Sequence, residues 1–237
     1  MQEELGGSMR RNVRLMHVRQ DDEALDRLAP SARSFVYSNG VRTSPRELDR
    51  YRVDWIEGGA PSELVDRAIE FQRLWGGLAL PPGPFYDGGP KYFEVGGFER
   101  AETGEWLFEV GPSRTALPYG FMIGPDGAFG IATTRWVALH ASIEGWIGSL
   151  SLAHDAFTHA EQVTRFRSSR VESIDFTGLD RVEGTEGLVD TWWRGDEVLL
   201  ASCSGEAEAF EAPQTREVLR YTGVPGWLLD RGEGQQG

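Results

Sequence analysis

The sequence predicts an α+β fold, a short-stranded antiparallel meander sheet flanked by helices, with a C-terminal α/β extension. Three observations predict it. Two stretches carry apolar residues three or four apart, the period of a half-buried helix. Between them lie short β-rich runs separated by glycine-bearing turns, the pattern of antiparallel hairpins. The order of helix, strands and helix does not alternate as βαβ units do, which argues against a parallel sheet.

Residues 1–20 read as a flexible lead-in. From Asp21 to Arg50 the chain is polar, and Ser44-Pro45-Arg46-Glu47 has the signature of a helix start: cap, proline at the first position, carboxylate in the first turn. Pro61 is expected to open the first strong helix, with Leu64, Val65, Ala68, Phe71, Gln72 and Trp75 on one face and Gly76-Gly77 as its stop. Leu80-Pro81-Pro82-Gly83-Pro84 cannot continue a helix. Strands are expected at Lys91–Val95, Trp106–Val110, Phe121–Gly124, Phe129–Ala132 and Arg135–His140, with Pro125-Asp126-Gly127 as a hairpin turn. Ser142 suits the cap of the second strong helix, whose stripe is Ile143, Trp146, Ile147, Leu150, Ala153 and Phe157.

Beyond Thr158 the pattern is less regular. Thr191–Arg194 and Val198–Cys203 read as a strand pair turning at Gly195-Asp196, and Pro213–Tyr221 reads as a helix. The polar, glycine-containing run from Arg165 to Gly187 marks a subdomain boundary near Thr158. The expected organisation is a flexible N-terminus (1–20), an α+β domain (21–157) and an extension (158–237), either a second lobe or packed on the same domain.

A chain of 237 residues with 40% hydrophobic and 26% charged residues is globular in composition. It holds no apolar run of about 18 residues, so no membrane helix is expected. Residues 1–20 carry Glu3, Glu4 and four arginines and no apolar core, unlike a secretory signal. A lone cysteine, Cys203, fits a reducing compartment, and the cytoplasm is the expected location. The net charge is −13, and the excess of acid lies beyond residue 60: residues 1–60 are balanced at ten against ten, residues 61–160 carry six basic and twelve acidic groups, and residues 161–237 carry eight and fifteen. Nucleic-acid binding needs the opposite sign. A basic protein partner is the one such a surface attracts, although solubility also accounts for it.

The residue types that carry chemistry form no known catalytic spacing. His17, His140, His154 and His159 make no His-Glu-x-x-His motif, and one cysteine makes no thiolate cluster. There is no nucleophile elbow and no Gly-Lys-Ser/Thr phosphate loop. No catalytic residue, metal or cofactor is therefore assigned. Glu94, Glu99, Glu102, Glu105 and Glu109 crowd one strand–turn–strand region, either as a solvated turn or as an acidic rim for a basic partner. Asp87, Glu94, Glu99, Glu102 and Glu105 are the residues expected to contact such a partner. Among eight tryptophans, Trp75 and Trp146 fall on helix stripes and are assigned to the core. Trp192 and Trp193 must face opposite sides of a strand.

The middle of the chain resembles the SUKH superfamily, an α+β fold common among bacterial immunity proteins. The likeness runs over roughly residues 55–157. It begins with Glu70-Phe71-Gln72-Arg73-Leu74-Trp75-Gly76-Gly77 and Leu80-Pro81, passes through a strand meander and the hairpin at Phe121–Gly127, and closes on Ser142-Ile143-Glu144-Gly145-Trp146-Ile147. The resemblance implies an immunity protein that neutralises a basic, nuclease-type toxin by direct binding. Two other classes stay open. One is a hydrolase or transferase with a site assembled from Asp87, His140 and Cys203. The other is a carbohydrate- or small-ligand-binding domain using exposed tryptophans. A cleft joining His140 or Cys203 to a carboxylate would favour the enzyme, an acidic face the inhibitor, and coplanar exposed indoles the sugar binder. The oligomeric state is not legible.

Overall fold

The computed structural model describes residues 16–85, 89–114, 116 and 118–229. The chain is α+β, with antiparallel sheets and helices packed between and around them. At its N-terminal end, β1 (Met16–His17), β2 (Val41–Arg42) and β3 (Leu78–Ala79) form a small sheet, with α1 (Glu23–Asp26) and α2 (Pro30–Asn39) between β1 and β2. The flexible lead-in expected over residues 1–20 falls mostly outside the described residues, but its end is ordered: Met16 and His17 pair with Arg42 and Val41. Arg42 ties this corner together, reaching Asp22 at 3.1 Å and donating to the Leu74 carbonyl at 2.8 Å.

The sequence from Ser44 to Glu47 does not start a helix. It has no regular secondary structure, and Arg46 is held at both ends: its carbonyl accepts from Gln72 (3.3 Å) and its guanidinium donates to the Val95 carbonyl (2.6 Å). The helical turn waits until Asp49–Tyr51 and runs on as α3 (Arg52–Glu57). Next come α4 (Ser62–Trp75), with the predicted apolar face buried, and a stop at Gly76 and Gly77, the latter at φ +77°.

The meander is β4 (Phe98–Arg100), β5 (Trp106–Glu109), β6 (Gly120–Ile123), β7 (Phe129–Ala132) and β8 (Trp136–His140), neighbours in space in chain order. Lys91–Val95, expected as a strand, is an irregular thread instead. Its backbone bonds are divided between partners on both sides: Phe93 donates to Leu78, Glu94 to Val110, and Val95 to the buried Gln72 side chain at 2.8 Å. A segment shared in this way has no ladder of its own. The Gly124–Gly127 turn is closed by Gly124 N–H to Ala128 (2.9 Å), with Gly127 at φ +97°.

Helix α5 (Ile143–His159) follows, capped by the Ser142 hydroxyl accepting from Gly145 N–H at 3.0 Å. One side of it joins the main core with Phe93, Phe129 and Ile131. Its far end, from Leu152 to Ala160, packs on a second sheet. That sheet runs in the order β10 (Asp180–Arg181), β11 (Thr191–Arg194), β12 (Val198–Cys203), β13 (Glu217–Thr222) and β9 (Gln162–Arg167). Gln162–Arg167, to which the sequence assigns no element, is a six-residue edge strand. One expectation fails here. Pro213–Tyr221 is not a helix: a short 3-10 turn ends at Thr215, and β13 then occupies a central place between β12 and β9. The apolar run Val218, Leu219 and Tyr221 suits either period, and the two open strand edges beside it decide the matter. Helices α6 (Gly205–Ala209) and α7 (Gly226–Leu229) are short connectors. No helix among the described residues is long and apolar enough to cross a membrane.

Candidate functional site

The register of the second sheet builds the site. Antiparallel pairing sets Ala201 opposite Trp192 and Leu219, Leu199 opposite Tyr221, and Cys203 opposite Glu217. Across the next strand Leu219 meets Arg165, Tyr221 meets Val163 and Glu217 meets Arg167. Alternation puts these residues on one face, and that face changes character along its length. Trp192, Leu199, Ala201 and Tyr221 bury themselves against the end of α5. Cys203, Glu217, Arg165 and Arg167, at the other end, do not. They line a cleft of about 460 Å³. Asp190 and Cys203 line both it and a smaller chamber of about 70 Å³, whose walls include Phe85, Trp146, Trp192 and Tyr221.

His140 lines this chamber. Its ring is 2% exposed. Its Nδ1 lies 2.8 Å from the Thr185 carbonyl, which can only accept, so Nδ1 carries the hydrogen and the neutral ring keeps a bare lone pair at Nε2. Burial pulls the His140 pKa down to about 4, against the smaller opposing effect of the Thr185 carbonyl. Asp190 is positioned by the turn out of β12, where its Oδ1 accepts from Ser204 N–H (2.7 Å) and Gly205 N–H (2.9 Å). Burial raises its pKa to about 6, beyond what those two donors offset, and Glu206 and Glu208 push the same way. The segment before Asp190 is stitched to the end of β8: Leu188 N–H donates to Leu139 at 2.8 Å, and Gly187 bridges His140. His140 and Asp190 are thereby fixed in one pocket, although they lie 50 residues apart in sequence.

The structure thus brings His140 and Cys203 into one cavity beside a carboxylate, the juxtaposition set out above as the mark of an enzyme. Their states differ from a catalytic pair. Burial, with Asp190, Glu217 and Glu206, drives the Cys203 thiol well above its usual range, so it is a neutral thiol at neutral pH. No hydrogen bond joins it to His140 among the described residues. Asp87, the third residue of that reading, lies outside the described residues. At the cleft mouth Arg165 and Arg167 are both engaged by Glu217, at 2.6 and 3.0 Å. Among the described residues no group of three His, Cys, Asp or Glu side chains is arranged to hold a metal. What the pocket offers is acceptors on aromatic walls.

The predicted acidic rim is a different place. Glu99, Glu102 and Glu105 are exposed on the β4–β5 hairpin. None forms an ion pair among the described residues; Glu105 accepts from Thr103 at 3.2 Å. Glu94 is half-buried and lies 3.5 Å from Arg46. Glu109, on β5 and on the same face as Glu99, has its pKa raised by burial and by Glu99. Against this hairpin lies α3, whose Trp55 meets Phe98 edge-on at 5.1 Å. Val53 and Ile56 on α3 are 62% and 39% exposed, and Asp54 and Glu57 beside them are exposed as well.

The tryptophans are mostly spoken for. Trp75, Trp146 and Trp192 are buried, Trp193 lies on the opposite face against Phe176 and Arg181, and Trp227 alone is prominently exposed, edge-on to His159 at 5.4 Å. No pair of exposed coplanar indoles exists among the described residues. Asp190, Arg165, Arg167 and Glu217 were not singled out by sequence reasoning, since only the register of the second sheet brings them together. Comparison with protein-family models, with curated proteins and with solved structures finds no match to this chain, so the functional reading rests on its own geometry.

Proposed function

We propose that this chain is a non-catalytic protein-binding module that engages a basic protein through the β4–β5 hairpin and the adjoining α3. The observation that carries the reading is the uncompensated charge of Glu99, Glu102 and Glu105 beside two exposed aliphatic side chains, Val53 and Ile56. An apolar centre with a charged rim is the anatomy of a protein interface. Carboxylates that answer to no cation of their own are free to steer a cationic partner. The resemblance to SUKH proteins adds the biological role, neutralisation of a basic nuclease-type toxin in the cytoplasm, with the acidic face covering the surface such an enzyme presents to nucleic acid.

The test is capture of binding proteins by the tagged chain at low and moderate salt, repeated with Glu99→Lys, Glu102→Lys and Glu105→Lys combined. A basic protein retained in stoichiometric amount by the wild type, with association slowed about tenfold or more in the triple variant and a flatter salt dependence, is the expected result. Equal association kinetics for the two proteins would remove the hairpin from the interface.

A further inference from the structure

We infer that the chamber between the second sheet and α5 is a binding site for a small flat ligand with an amidine-type N–C–N edge, its N–H groups donated to Asp190 and His140. This site is separate from the acidic hairpin and does not depend on the protein-binding reading.

The inference starts from unmatched acceptors. Neither His140 Nε2 nor Asp190 Oδ2 is among the sealed, unpartnered atoms of the described residues, so both acceptors are open to a ligand that enters the chamber. His140 Nε2 carries a lone pair, sits on a ring that is 2% exposed, and accepts nothing among the described residues. On Asp190, Oδ1 takes both backbone donors and Oδ2 takes none among the described residues. Both side chains line the chamber. The two acceptors are held on rigid elements, His140 at the end of β8 and Asp190 where β11 begins, and the Gly187–His140 bridge locks those ends together.

The lining then selects what can fill the space. Among the described residues no lysine or arginine lines the chamber, and none of them answers Asp190 there. The cleft arginines, Arg165 and Arg167, are turned to Glu217. A ligand entering must supply the donors. The walls are rings and aliphatic carbons: Phe85, Trp146, Trp192, Tyr221, Leu150 and Leu219. Trp192 and Tyr221 lie nearly parallel, with centroids 5.7 Å apart. Flat walls and two acceptors suit a planar group whose two nitrogens, joined through one carbon, both carry hydrogen. The chamber of about 70 Å³ is several times the 10–15 Å³ or so that one water requires, and it shares Phe85, Asp190, Cys203 and Leu219 with the larger cleft.

Benzamidine and 2-aminopyridine protonated at its ring nitrogen, each with two N–H donors on one N–C–N edge, are the probes, titrated into the full chain and followed by calorimetry and by the indole N–H resonances of Trp146 and Trp192. One-to-one binding that shifts these resonances is expected. Asp190→Asn keeps an oxygen for Ser204 and Gly205 and removes the charge, and it should weaken benzamidine by about tenfold or more. Ala153→Phe, which fills the chamber from the α5 side, should abolish binding of both probes. Benzoate, flat and of similar size but without donors, should not bind. The site is refuted if neither probe binds up to its solubility limit, or if the two variants bind both probes as the wild type does.

Discussion

The two five-stranded sheets of this protein are built from the same pattern and finish differently. In the meander, every position of β7 is buried, and both faces are covered: Phe121, Ile123, Phe129 and Ile131 on the side of α5, Leu107, Met122 and Ala132 on the other. In the second sheet the face toward α5 is apolar only for half its length. There the alternation continues into Cys203, Glu217, Arg165 and Arg167, and the packing gives way to a cleft. The difference shows how a sheet acquires a site without a special motif. It is enough that the inward-facing series turns polar before the covering helix ends, so that strand register delivers charged groups to the margin of a core.

If that contrast is real, truncation should cost most in the meander. Phe129 is fully buried, stacked on Phe121 at 6.1 Å and tilted against Trp146 at 4.9 Å. Phe129→Ala is expected to destabilise the protein by about 3–5 kcal/mol, because a closed core cannot collapse around the void. Leu219→Ala, at the edge of the cleft, should cost only about 2 kcal/mol, since one side of Leu219 already borders open space. Urea denaturation of both variants measures the difference, and equal losses would mean that the two sheets are equally well packed.

The two sheets were also unequally legible. The meander announced itself because its signals are local: glycine turns, a capping serine and an apolar stripe each act within a few residues. The pairing of β6 with β7 across Pro125-Asp126-Gly127, and the cap of α5 by Ser142, follow from such signals. The errors come from contacts distant in sequence. Gln72 captures Val95, 23 residues away, and converts an expected strand into a thread. β13 is a strand because β12 and β9 flank it, and Val218, Leu219 and Tyr221 do not distinguish the two periods. For the same reason the acidic hairpin was visible and the cleft was not. Glu99, Glu102 and Glu105 are close in sequence, whereas His140 and Asp190 meet only through the edge of β8.

Titration separates the two acceptors of the chamber, because their shifts have opposite consequences. The pKa of His140 is lowered to about 4 in the folded chain, so folding favours the neutral ring. That contribution is complete above the unfolded value near 6.5 and is lost as pH falls through 4, a loss of about 3 kcal/mol. Asp190 is raised to about 6. Its contribution is complete below the unfolded value near 3.8 and is lost as pH rises through 6, which costs about 2–3 kcal/mol at neutral pH. Asp190→Asn should therefore be more stable than the wild type at pH 7.5 and lose that advantage at pH 4. Denaturation midpoints at the two pH values decide it. A variant whose advantage does not change with pH would show that Asp190 is as well solvated as a surface carboxylate.

The smallest expected effect belongs to the hairpin, and its smallness is the point. Glu99, Glu102 and Glu105 are exposed and contribute no ion pair among the described residues. Their combined reversal to lysine should leave the urea midpoint unchanged within error, since isolated surface charges rarely matter to stability. Residues that neither pack nor pair are unconstrained by the fold, so a triple variant of native stability with slowed association isolates partner contact from folding. A lowered midpoint would instead make these carboxylates part of what holds β4 to β5, and the hairpin would join the meander as structure alone.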